Sequence, residues 1–150
     1  MSNRYAPNEA QPRKGEKVLL MGQIGAFFDE GRRRFPQAAE HRFSNIPWEW
    51  ARQEDLRDAP RAASGYDTVV FCLANLNSLE VLERLRSFPG RLIVMSALSP
   101  IYLDRVPWVA TALAVYGMGP DSFQAGFAAL SGDFVPEGAL PVELPSLAGE

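Results

Sequence analysis

Few residues in this sequence combine reactive type with useful spacing. Gly22-Gln23-Ile24-Gly25 follows an apolar run and opens a helical pattern, and backbone N–H groups at such a turn can face an anion. The stretch lacks the third glycine of a dinucleotide fingerprint and has no Walker lysine, so it reads as a tight strand-to-helix turn. His41 is the sole histidine. A Ser-His-Asp triad would have to use it, yet it falls in or beside a strand, away from the strand ends where Ser78 and Ser99 sit. No Gly-x-Ser-x-Gly elbow is present. Cys72 is the sole cysteine, expected mid-strand as an inert core thiol. It cannot form an internal disulfide, and no cysteine cluster points to zinc. A phosphoacceptor aspartate would stand at the end of the third strand. Cys72-Leu73-Ala74-Asn75 takes that place, and Asp67 sits at the opposite end.

Paired carboxylates about 5–10 Å apart would suit glycosidic bond cleavage. The acids near the expected binding edge are Glu80, Asp104 and Asp121, none close to another in sequence. Each stands where a helix-start acid is common. No catalytic residue and no metal ligand is therefore assigned. Trp48 and Trp50 flank Glu49 after a proline and could stack on a sugar ring, although edge packing on the domain is the preferred reading. Arg32-Arg33-Arg34 reads as a solvated helix face.

The elements that position these residues follow from pattern. Val18–Met21 is a buried strand closed by Gly22, and Ile24, Phe27, Phe28 and Phe35 recur at helical spacing until Pro36. A second strand is expected over Ala39–Phe43, then a break at Asn45-Ile46-Pro47 and helical character around Glu54, Leu56 and Arg57. Asp67–Ala74 is continuously apolar after its first residues, the mark of a parallel strand covered on both faces. Ser78 can cap the helix carrying Leu79, Leu82 and Leu85. Arg91–Ser96 and Ala110–Tyr116 are further strands, Ser122–Leu130 a short helix, and Ala139–Leu144 a short strand. The alternation predicts an α/β three-layer sandwich, a mostly parallel sheet with helices on both faces. Ligands of such sheets gather at the carboxyl ends of the strands.

With 150 residues, 47% hydrophobic and 22% charged, the chain suits one globular domain with its own core. It is too short for a TIM barrel, which needs roughly 250 residues. We divide it into a lead-in over 1–16, a domain over 17–146 and a tail over 147–150. The net charge of -3 offers nothing that draws nucleic acid or an anionic membrane. Met1–Lys17 lacks the apolar core of a signal peptide, and the apolar stretch Val106–Tyr116 is too short to span a bilayer. A cytoplasmic protein without cofactor is expected.

Three stretches resemble the C-terminal α/β domain of glycoside hydrolase family 3. Asp67-Thr68-Val69-Val70-Phe71-Cys72-Leu73-Ala74-Asn75-Leu76-Asn77, with its Leu-rich helix, is similar to a strand and loop of the β-N-acetylglucosaminidase-like branch. Arg91 to Leu103 resembles the strand ending in a Pro-Tyr-Asp-Leu turn, here with Ile101 inserted between Pro100 and Tyr102. Tyr116 to Leu144 resembles the family's closing pattern, with Ser131-Gly132-Asp133-Phe134-Val135-Pro136-Glu137-Gly138-Ala139-Leu140-Pro141-Val142 at its most specific part. The resemblance spans about residues 16–146.

The resemblance implies a partner. In that family the nucleophilic aspartate lies on a TIM barrel, which is absent here. The β-glucosidase-like branch adds an acid from the loop after the third strand, but Ala74-Asn75-Leu76-Asn77-Ser78 holds no glutamate. The implied role is an accessory, non-catalytic domain that docks on a TIM-barrel domain or chain and shapes a carbohydrate site. Asn75, Asn77, Ser99 and Tyr102 are the candidate sugar contacts, with turn chemistry as the competing role for each. The alternative is a free-standing α/β module that binds a small molecule or protein, for example as a homodimer. An autonomous hydrolase using Ser78 or Ser99 has the least support.

Overall fold

A computed structural model describes residues 15–44, 51–97 and 100–130. Five strands, β1 (Val18–Gly22), β2 (Ala39–Arg42), β3 (Thr68–Leu73), β4 (Arg91–Ser96) and β5 (Thr111–Ala114), form one sheet in the order β2-β1-β3-β4-β5. Every pairing is parallel. Parallel neighbours need crossovers. They are supplied by α1 (Gly25–Arg34), α2 (Gln53–Ala63), α3 (Leu76–Glu83) and a 3-10 helix over Pro100–Arg105; α4 (Pro120–Leu130) follows β5.

Alternation along each strand sends side chains to two separate cores. Leu19, Met21, Val69, Phe71 and Val94 pack with Leu56 and Ala59 of α2, Leu79 and Leu82 of α3, and Leu103 of the 3-10 helix. Leu20, Val70, Cys72, Ile93 and Met95 pack on the other face with Phe27 and Phe28 of α1 and Phe123 and Phe127 of α4. The Phe27 ring meets Phe28, Phe123 and Phe127 at centroid distances of 5.3, 5.7 and 5.3 Å, an aromatic cluster that fixes α1 against α4. Gly31 of α1 permits this approach. A Cβ there would lie 2.6 Å from Leu20 Cδ1 and 2.9 Å from Phe127 Cζ.

The three-layer sandwich expected from the sequence is therefore present, with local differences. Asn75, not Ser78, is the N-cap of α3; Ser78 is the third helical residue and completes a capping box. The last strand is shorter than Ala110–Tyr116, because Tyr116 has a φ of 57°, outside extended backbone. Proline at the first helical position moves the start of α4 from Ser122 to Pro120. The strand expected over Ala139–Leu144 lies outside the described residues.

Candidate functional site

Because β1 lies between β2 and β3, the chain leaves it to opposite sides, making a topological switch point at the carboxyl ends of β1 and β3. Sheets of this order bind ligands there. Here the crevice holds the protein's own amides. Gln23, just after β1, donates through Nε2 to the Ser44 carbonyl at 2.7 Å and to Asn77 Oδ1. Ser44 follows β2 and Asn77 opens α3, so one side chain ties three segments. Asn77 is 3% exposed. Gln23 Oε1 is buried and has no hydrogen-bond partner among the described residues.

The turn over Gly22–Gly25 is closed in the same way. A Cβ at Gly22 would lie 3.0 Å from Cys72 Cβ, whereas one at Gly25 would meet nothing within 4 Å. Gly22 is thus small to fit against β3. The N-cap of α1 is Ile24, which gives no side-chain hydrogen bond.

Around Asn75 the chain is held by its own side chains. Asn75 Oδ1 accepts the Ser78 N–H at 3.0 Å. Ser78 Oγ accepts the Ala74 and Asn75 N–H groups, both at 2.9 Å, and donates to the Asn75 carbonyl at 2.8 Å. Ser78 is fully buried, which removes it as a nucleophile. His41 lies in β2 opposite Met21, with its Nε2 buried and unbonded among the described residues. Burial pushes the Cys72 thiol up to about 12, so it stays protonated and inert at neutral pH. Among the described residues no group of three His, Cys, Asp or Glu side chains could hold a metal ion.

The structure therefore joins Asn77 to Gln23, makes Asn75 a cap and half-buries Tyr102 in the 3-10 helix, its ring against the α2/α3 core. Ser99, Trp48 and Trp50 lie outside the described residues. Glu80 Oε1 accepts the Ala51 N–H at 3.2 Å, a structural role. No described helix is long and apolar enough to cross a membrane.

A second feature of this edge escaped the sequence reading. Among the described residues four large hydrophobic side chains, Leu76, Ile101, Tyr116 and Met118, are 40–54% exposed. Leu76 follows β3, Ile101 follows β4, and Tyr116 and Met118 follow β5. Those strands are adjacent, roughly 4.8 Å apart in the hydrogen-bonding direction, so all four lie in segments at the carboxyl edge, here called the rim. Tyr116 is also the single non-glycine residue of positive φ among those described, a strained conformation that concentrates at functional positions. The sequence signal was available: apolar residues on three successive strand-end loops.

No family model matches the chain, and no curated protein matches it. Solved structures do. A glycoside hydrolase family 3 β-N-acetylglucosaminidase from Paenibacillus sp. str. FPU-7 superposes with a TM-score of 0.81 at 18% identity, over 95% of this chain and 30% of that one. A fungal multi-domain family 3 β-N-acetylglucosaminidase gives 0.76 at 17% identity, over 96% of this chain and 17% of its own. The β-glucoside phosphorylase BglX bound to 2FGlc gives 0.61 at 16% identity, over 100% of this chain and 30% of that one. The fold is that of the family 3 C-terminal α/β domain, as the sequence resemblance led us to expect. The chain spans under a third of the length of each of these proteins.

Proposed function

We propose that this chain is an accessory, non-catalytic unit of a family 3 glycoside hydrolase, of β-N-acetylhexosaminidase or β-glucosidase type. It docks on a TIM barrel through the carboxyl edge of its sheet and forms one wall of the sugar site. The observation that carries this reading is the rim of Leu76, Ile101, Tyr116 and Met118. Exposed apolar side chains gathered at one edge suit an interaction surface, and water is excluded from them when a partner covers them. The amides of Gln23 and Asn77 meet in the switch-point crevice, which fits a reading in which the partner supplies the chemistry. Asn75, Asn77, Ser99 and Tyr102 remain the proposed sugar contacts. Asn75 and Tyr102 are the two of these partly exposed among the described residues, and they stand beside the apolar rim.

The test is an NMR titration of the labelled chain with a family 3 barrel chain, alongside assays on aryl N-acetylglucosaminide and aryl glucoside. Amide shifts confined to the carboxyl edge and lost in the Ile101→Glu/Met118→Glu variant support docking. Turnover by the chain alone, or a homodimer closed through this rim, overturns it.

A further inference from the structure

A cavity bounded by described residues lies at the opposite, amino edge of the sheet and takes no part in the reading above. Its volume is about 230 Å³, and Ala63, Tyr66, Arg84, Leu85, Ser87 and Phe88 are among its walls. It opens between the C-terminal ends of α2 and α3, just before β3 and β4 begin. The walls are turns closed by backbone hydrogen bonds: the Tyr66 N–H donates to the Ala63 carbonyl at 3.1 Å and the Phe88 N–H to the Leu85 carbonyl at 3.0 Å. The space is therefore built into the fold.

We infer that this cavity binds a small aromatic carboxylate. A cavity of about 150 Å³ accepts a benzene ring, so the volume here has room for one ring with a carboxylate. Tyr66, Leu85 and Phe88 supply apolar walls for the ring. Arg84 supplies the charge, since a guanidinium matches a carboxylate with two parallel donors. Its side chain is exposed and takes part in no ion pair among the described residues. Two acids of this edge, Asp67 and Glu16, are already engaged. Asp67 Oδ2 accepts the Lys17 N–H at 2.8 Å, and Glu16 binds Thr68 Oγ1 at 2.6 Å and Arg91 at 3.7 Å. The two helix C-termini carry partial negative charge and oppose an anion, which leaves Arg84 as its anchor and makes the affinity modest. Ser87 adds a hydroxyl donor.

The experiment is an NMR titration of the whole chain with sodium benzoate, benzamide and benzylamine. Benzoate should saturate at millimolar concentration and shift amides over residues 63–66 and 84–90, with benzamide and benzylamine weaker. Arg84→Gln should weaken benzoate about three- to fivefold, to the level of benzamide, as expected for an exposed ion pair. Ser87→Trp should abolish binding by filling the space. The spectrum of each variant reports its own folding. Equal binding of benzoate and benzamide, shifts elsewhere on the molecule, or no saturation by benzoate would overturn the inference. None of these outcomes bears on the barrel reading, which concerns the other edge.

Discussion

Replacing Ser78 with alanine removes one oxygen and three hydrogen bonds. Ser78 Oγ accepts from the Ala74 and Asn75 N–H groups and donates to the Asn75 carbonyl. Ala74 and Ser78 are both buried, so no water replaces the lost partner of the Ala74 N–H. An orphaned buried donor costs about 1–3 kcal/mol, and losing half of a capping box adds about 0.5–1 kcal/mol. The expected loss for Ser78→Ala is about 2–3 kcal/mol, a fall in Tm of roughly 5–10 °C at this chain length. Asn75→Ala removes the acceptor of the Ser78 N–H and should cost about 1 kcal/mol. Both changes break the same box, so the double variant should lose less than the sum, with a coupling of at least about 0.5 kcal/mol. Urea unfolding followed by circular dichroism reads these as midpoint shifts at constant slope. A Ser78→Ala variant within about 0.5 kcal/mol of the parent, or strict additivity of the pair, would refute the account of this turn. Asn75→Asp keeps an acceptor at the cap and should be nearly neutral, which separates capping from any sugar contact.

Cys72 links stability to alkaline pH. Its thiol titrates at about 12 when folded against 9.0 as its ordinary value, so above about pH 9 the unfolded chain releases a proton that the folded chain keeps. The stabilisation is whole below that pH and is lost as pH rises toward 12, by up to about 1.4 kcal/mol per pH unit; Cys72→Ala should flatten that part of a urea-midpoint profile. Gln23→Glu places a carboxylate against the Ser44 carbonyl and Asn77 Oδ1, where Nε2 now donates, and should cost at least about 2 kcal/mol in urea unfolding; a neutral outcome would mean that the amide tie does not hold the crevice. Tyr116→Gly relieves a left-handed backbone worth about 1–2 kcal/mol but adds unfolded-state freedom worth about 0.5–1 kcal/mol. Stability should stay within about 1 kcal/mol of the parent while the NMR shifts caused by a barrel chain weaken, and a large loss of stability would remove the argument from strain.

The strands read most directly from sequence are those buried on both faces, while the half-exposed β2 is read from its place in the alternation. All residues of β1 and β3 are buried, so a continuous apolar run suffices to mark them. The 3-10 helix over Pro100–Arg105 is not marked by pattern, because Leu103 is its single buried side chain among those described. The Val106 N–H donates to the Leu103 carbonyl and the Val109 N–H to the Val106 carbonyl, so three-residue turns continue past that helix into the apolar stretch that starts at Val106. At the site, the residue types were visible but not their pairings. Gln23 and Asn77 are 54 residues apart, and they meet only because β1 and β3 are neighbours. Ser78 was recognised as a capping residue but placed one role away, because its hydroxyl serves the reverse half of the box while Asn75 takes the forward half.

The energetics of the rim bear on how a partner would be held. Fully burying a large aliphatic or aromatic side chain is worth about 1.5–3 kcal/mol. Leu76, Ile101, Tyr116 and Met118 are already about half covered, so covering the remainder yields about 1 kcal/mol each, about 4 kcal/mol together. Association of two free molecules costs about 4–15 kcal/mol in lost freedom. These four side chains alone thus sit near break-even for a complex between separate chains. A short linker supplies a millimolar effective concentration, which at break-even docks a joined domain only about one part in a thousand of the time. Joined or separate, a partner would therefore need contacts beyond this rim, worth about 4 kcal/mol to half-dock a joined domain. At half exposure each rim side chain already gains much of its burial energy, and the small remainder is what a neighbouring domain would capture.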